Sequence, residues 1–161
     1  MKEDEVQEAL GDWFQQQGYF VRKEVDIGFS SEIDLVAKSE NEEWLVEVKG
    51  DYGKTAQYTV NFDTGIGQLL KNMSRLDKQT KYAIGIPIST TERGEKLSYR
   101  LILPKYSKSL AFESLNIHLL LVRDDRSVEV IIPSRVIDFL HSINPEIQNL
   151  PFGHFRSATF N

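Results

Sequence analysis

Two carboxylates and a lysine, Asp34, Glu47 and Lys49, stand close together in this 161-residue chain. They have the side-chain types that phosphodiester hydrolysis uses. A magnesium ion held by one or two carboxylates keeps several waters and can bind a phosphate oxygen. It polarises the phosphorus centre and lowers the pKa of a bound water. A lysine beside it can orient that water or steady developing negative charge.

Whether the three meet depends on the elements that carry them. Segments 32–38 (EIDLVAK) and 43–49 (EWLVEVK) read as strands joined by the polar turn Ser39-Glu40-Asn41-Glu42. A symmetric turn there pairs residues whose numbers sum to 81, which sets Asp34 opposite Glu47. Side chains alternate between faces, so Ile33, Leu35, Ala37, Trp44, Val46 and Val48 form one apolar face. The other carries Glu32, Asp34, Val36, Leu45, Glu47 and Lys49. Directly opposed carboxylates lie roughly 5 Å apart at Cβ and repel, so this face predicts a divalent cation with oxygen ligands. Val36 and Leu45 predict that the same face is covered rather than fully wet. An E-x-K tripeptide arises often by chance on solvated strands; the pairing with Asp34, which follows from the turn length, sets this one apart.

At these residues the chain resembles the PD-(D/E)XK nuclease superfamily, the restriction-endonuclease-like fold. The match is a first helix bearing an acid, then Ile33-Asp34, then Glu47-Val48-Lys49, the second acid 13 positions after the first. The resemblance implies DNA cleavage with Mg2+, for which Mn2+ substitutes. Asp34 and Glu47 would be metal ligands and Lys49 the residue that positions or activates water. The first-helix acid often joins such sites; Glu8 is the choice here as an auxiliary ligand, with Glu5 as rival. Gly65-Ile66-Gly67-Gln68-Leu69-Leu70 looks like the glutamine-bearing helix of many members, which makes Gln68 a further site residue. Ile33 stands where the name-giving proline would, at a position that varies widely. The resemblance covers about residues 5–87; residues 88–142 read as peripheral elaboration and 143–161 as an irregular tail.

The remaining elements follow from periodicity. Residues 3–17 predict a helix with the apolar stripe Val6, Leu10, Trp13 and Phe14, and Gly18 sits where a helix C-cap belongs. Residues 19–25 predict a strand. A glycine-containing loop, 50–63, is expected next, then a helix capped by Asp63 or Thr64 and running to about Asp77. Lys81 to Ile86 reads as a short strand ended by Pro87. Ser89 and Glu92 have the capping-box spacing for a helix, and 105–114 also reads as helical. Ile117–Val122 and Val128–Ile132 predict a hairpin about the turn 123–126, and Ser134 can cap a last helix to His141. The pattern gives a single α/β domain, a mixed central sheet with helices on both faces.

Composition agrees with a globular domain. The chain has 40% hydrophobic and 27% charged residues, and no cysteine to supply disulfides or thiolate ligands. Its acidic start lacks an apolar signal core, and no apolar run approaches membrane-spanning length, so a cytoplasmic location is expected. Net charge is −5, yet residues 49–81 hold six bases and three acids, a local +3 against −8 elsewhere. Lys71, Arg75 and Lys78 follow near-helical spacing; with Lys54 they form a candidate phosphate-facing set, or a plain soluble face. Tyr52, Tyr58 and Phe62 could contact nucleic acid or simply pack. His118, His141 and His154 lie far apart, and His118 in its apolar strand reads as packed. Gly65-x-Gly67 is too short for a phosphate loop.

The expected activity is that of a magnesium-dependent DNA endonuclease. A nuclease-fold module that binds nucleic acid or a partner without cutting is the alternative. A third reading is an accessory subunit of a restriction, repair or mobile-element system, and a homodimer would let two sites act on two strands.

Overall fold

The computed structural model describes residues 1–26, 32–52, 55–91 and 94–143. The chain runs α1 (Glu3–Gln16), β1 (Phe20–Asp26), β2 (Glu32–Lys38), β3 (Glu43–Val48), α2 (Thr55–Asn72), β4 (Thr80–Thr91) and β5 (Gly94–Leu97). Two 3-10 turns, Ser98–Leu101 and Leu103–Tyr106, lead to α3 (Ala111–Ser114), β6 (Ile117–Arg123), β7 (Val128–Ile131) and α4 (Pro133–Ser142). The strands form one sheet in the order β1-β2-β3-β4-β6-β7, with β5 paired to β4. β3, β4 and β6 are parallel neighbours and the outer pairs are antiparallel. The sheet is therefore mixed, as expected.

Helices cover both faces. On one, Val6, Ala9, Leu10 and Phe14 of α1 pack against Leu35, Ala37, Trp44, Val46 and Val48. On the other, Tyr58, Phe62 and Leu69 of α2 and Val136 and Leu140 of α4 meet Leu45, Tyr82, Ile84, Ile86 and Leu119. The central strands are apolar on both sides because both sides are covered. α1 ends in a Schellman turn: Gly18, with φ +88, donates to Gln15, and Tyr19 donates to Phe14.

Several elements differ from the sequence expectation. α2 begins at Thr55, so most of the expected loop 50–63 is helix, and it ends at Asn72 rather than near Asp77. Tyr58, Phe62, Gly65 and Leu69 are its buried side, and burying that stripe on the sheet outweighs the turn preference of Asp63-Thr64 and the two glycines. β4 runs straight through Pro87 to Thr91. Its pairing with β3 ends at Gly85 and its pairing with β5 starts at Ile88, so proline sits in the gap between two partners, where a ladder donor is dispensable. The helix expected from Ser89 is instead a β4–β5 hairpin, in keeping with its threonine-rich, β-branched approach; Glu92 lies outside the described residues. Segment 105–114 is mostly tight turns, with only Ala111–Ser114 α-helical. The last helix is capped at Ile132 with Pro133 in its first turn, not at Ser134, because proline suits that position. The β6–β7 hairpin is as expected.

No helix among the described residues is long and apolar enough to cross a membrane. Two glycines should respond oppositely to a methyl group. At Gly67, inside α2, an added Cβ would meet nothing within 4 Å. Gly67→Ala is expected to stabilise by about 0.5–1 kcal/mol, a rise of about 2–4 °C in Tm per kcal/mol at this size. At Gly50 the Cβ would lie 2.9 Å from Glu3 Cα, against backbone that cannot yield cheaply. Gly50→Ala is expected to cost about 1–3 kcal/mol. Thermal unfolding of both variants checks the pair.

Candidate metal centre

β2 and β3 pair in the register read from the turn: Leu35↔Val46, Val36↔Leu45, Ala37↔Trp44 and Lys38↔Glu43. The ladder stops one step short of Asp34 and Glu47. There Asp34 turns its own carboxylate into the seam, where Oδ2 accepts the Val48 backbone N–H at 2.6 Å. The Asp34 carbonyl accepts from the Gln7 side chain of α1 at 2.8 Å. On the outer side, pairing with β1 passes over Asp34 and Glu24, and Glu24 has φ +49. Across this kink the facing of both strands inverts. Val21, Leu35 and Ala37 lie in the α1 layer, whereas Val25 and Ile33 lie in the α2 layer. Ile33 therefore leaves the apolar face assigned to it by strict alternation.

The two acids still converge. Lys49 Nζ lies 2.8 Å from Glu47 Oε1 and 3.9 Å from Asp34 Oδ2. The Glu47 side chain is fully buried and that of Lys49 is 9% exposed, so the face is covered. Burial pushes the Glu47 carboxyl up to about 7; Lys49 opposes the rise and the Asp34 charge adds to it. Burial also raises Asp34, against the Val48 hydrogen bond and Lys49. The repulsion that called for a cation is thus already relieved in part by an ammonium and a readily retained proton.

The donors fit a hard divalent ion in one further respect. Glu47 Oε2 is buried without a hydrogen-bond partner, and the Glu47 carboxyl lies within reach of that of Asp34. Among the described residues no group of three or more His, Asp or Glu side chains gathers as a metal cage. Asp34 and Glu47 would hold the ion with water completing its shell, which is the usual habit of magnesium.

Neither first-helix acid expected at the site is engaged there. Glu8 points away from the seam and pairs with Arg126 on the β6–β7 turn at 3.3 Å. Glu5 accepts the Lys2 backbone N–H at 2.7 Å, capping α1. Glu3 is the acid whose charge raises Asp34, and it is hydrogen bonded to Tyr52. Burial and this bond push Tyr52 up to about 12. Spacing could have found it, since Glu3 lies three residues before Val6 on the buried stripe, whereas Glu8 falls on the opposite side. Gln68 is half-buried, one turn beyond Gly65 on α2. Gly65 is where α2 presses on the site: a Cβ there would lie 3.0 Å from Lys49 Cε and 3.6 Å from Glu47 Cγ.

The candidate stripe of Lys71, Arg75 and Lys78 is not carried on one helix. α2 ends before Arg75 and Lys78, and Arg75 pairs with Glu43 and Asp77. Lys81 pairs with Glu42, whose carboxyl is held down at about 2 because hydrogen bonds from Lys81, Tyr19 and Trp44 outweigh its burial. Lys71 is exposed, while Lys54 lies outside the described residues. Tyr58 and Phe62 are buried on α2. His118 is buried against Trp44, ring centroids 4.7 Å apart, with its pKa lowered by burial. His141 is exposed at the end of α4, and His154 lies outside the described residues.

Fold and site together define an α/β protein with a mixed sheet whose central seam holds two acids and a lysine. No protein-family model and no curated protein matches the sequence. Solved structures that share the fold include the following two. An XisH family protein from Nostoc punctiforme is 14% identical, with TM-score 0.52, over 78% of this chain and 98% of that one. An fdxN element excision controlling factor protein from Anabaena variabilis is 13% identical, with TM-score 0.51, over 79% and 95% respectively.

Metal affinity should follow the Glu47 proton. A ligand carboxylate must lose its proton to bind, and the raised pKa means that the free site keeps that proton up to about pH 7. Affinity for Mn2+ in calorimetry is expected to rise by up to about tenfold per pH unit below 7 and to level off above it, with proton release on binding. A flat profile from pH 5.5 to 8 would contradict Glu47 as ligand. Gly65→Ala should gain the helix propensity of Gly67→Ala but lose most of it by crowding Lys49. Equal rises in Tm for the two would show that the Gly65 contact is slack.

Proposed function

We propose that this protein is a divalent-metal-dependent phosphodiesterase that cuts DNA, with Mg2+ as the working ion and Mn2+ as a substitute. One observation carries the reading: two carboxylates and a lysine converge in a covered seam between central strands, with a carboxylate oxygen left unpartnered. Asp34 and Glu47 would hold the ion, and a bound divalent ion neutralises phosphate charge and acidifies a water. Asp34 is fixed for this by the Val48 N–H, which holds its Oδ2. Lys49, anchored on Glu47 and hemmed in by Gly65, presents its ammonium where it can orient an attacking water or a phosphate oxygen. In the reaction the water oxygen bonds to phosphorus, the bond to the leaving oxygen breaks, and that oxygen takes up a proton. The resemblance to PD-(D/E)XK nucleases at Asp34, Glu47 and Lys49 points the same way. Glu8 has no part in this site, and Glu3 takes its place at the edge.

A second reading is favoured by one fold relative being an excision controlling factor. In it the chain is an accessory subunit of a DNA-excision or other mobile-element system, holding DNA or a partner without cutting. Its acidic balance of −5 is compatible with that role.

A nicking assay on supercoiled DNA separates the two. Asp34→Ala and Lys49→Ala are each expected to lower Mg2+-dependent nicking by about a hundredfold or more, with circular dichroism unchanged. Glu8→Ala should stay within about twofold of the wild type. Full activity in Asp34→Ala would refute the assignment; metal binding without cleavage of any DNA or RNA form would leave the accessory reading.

A further inference from the structure

Among the described residues two buried side-chain atoms have no hydrogen-bond partner, Glu47 Oε2 and Asn61 Nδ2. Such orphans are uncommon, and each calls for an explanation. The first belongs to the site. The second lies on α2, and helix geometry puts it beside the same seam. Asn61 is four residues before Gly65, and residues so spaced stack on one helix face. Gly65 is the point of closest approach to Lys49 and Glu47. Further along the same flank Asn72 donates to the Glu32 carbonyl of β2 at 3.1 Å, so this flank turns toward β2. The other flank turns away, since Asp63 is hydrogen bonded to Tyr106. Side chains lean toward a helix N-terminus. This lean carries the Asn61 amide toward the end of the seam where the chain leaves β3 and where Tyr58 meets Asp51 and Tyr52.

The site thus has a carboxylate oxygen without a partner, and the α2 flank beside it has a donor without an acceptor. A cation answers the first and an anionic oxygen the second, and a phosphodiester carried on a divalent ion supplies both at once. We propose that Asn61 is a substrate-binding residue whose Nδ2 donates to a non-bridging oxygen of the phosphodiester held at Asp34, Glu47 and Lys49. This rests on the phosphodiesterase reading above and adds to it the group that grips the phosphate on the α2 side.

The test combines free stability with binding. A fluorescein-labelled DNA duplex is titrated in Ca2+ buffer and followed by anisotropy, with thermal unfolding measured on the ligand-free protein. Asn61→Leu replaces an unpartnered donor by an apolar group of similar size, so its Tm is expected to rise, while duplex affinity falls about tenfold or more. Asn61→Asp turns the donor into a like charge and should weaken binding further. An Asn61→Leu variant that binds as tightly as wild type, or that melts below it, overturns the assignment. If wild type binds while Asn61→Leu is unchanged, only Asn61 is wrong; if wild type binds no DNA, the phosphodiesterase reading falls and this falls with it.

Discussion

Two central strands can part only if the backbone groups they abandon find other partners, because an orphaned N–H or C=O inside a protein is too costly to keep. At Asp34 both debts are met locally. The Asp34 carboxylate takes the Val48 N–H, and Gln7 reaches across from α1 to take the Asp34 carbonyl. The side chain that ends the ladder is thus the one that faces Glu47 and Lys49. Opening the seam and arming it are one event.

Two glycines let helices approach that seam. Gly50 admits the entry to α1, where the Met1 carbonyl ahead of the helix accepts the Asp51 N–H and Glu3 at its start meets Tyr52. Gly65 admits α2 against the Lys49 stem. Tyr99 fixes the exit of β3 by donating to the Gly50 carbonyl at 2.7 Å, with its ring 4.9 Å from that of Tyr58. Glu47 and Lys49 are therefore dry and held from two sides, with Asp34 partly exposed beside them. This is why burial dominates the ionisation of both acids, and why a lysine close by is needed to keep either of them charged.

The sequence disclosed the register of β2 on β3 because a tight turn leaves little choice, and it disclosed the meeting of Asp34, Glu47 and Lys49 for the same reason. It did not disclose the parting of the strands, since that depends on a carboxylate capturing a backbone donor, which no alternation rule contains. Tyr58, Phe62, Gly65 and Leu69 did carry the helical period of α2, but glycines and Asp63-Thr64 read as punctuation and masked it. Pro87 read as an end because the change of partner along β4 is a tertiary fact. Glu3 was legible from its place on the α1 stripe. The pairing of Arg75 and Lys81 with Glu43 and Glu42 was not, because it joins segments more than thirty residues apart.

The kink at Glu24 has a meaning beyond the seam. β1 is the outermost strand on its side of the sheet, and a regular outer strand offers free backbone groups onto which another chain can crystallise as a further strand. Here that template is spoiled midway by a residue of left-handed conformation, with charged Arg22, Lys23 and Glu24 exposed along it. The distortion that lets β2 swing its aspartate inward also leaves the sheet's margin a poor seed for aggregation.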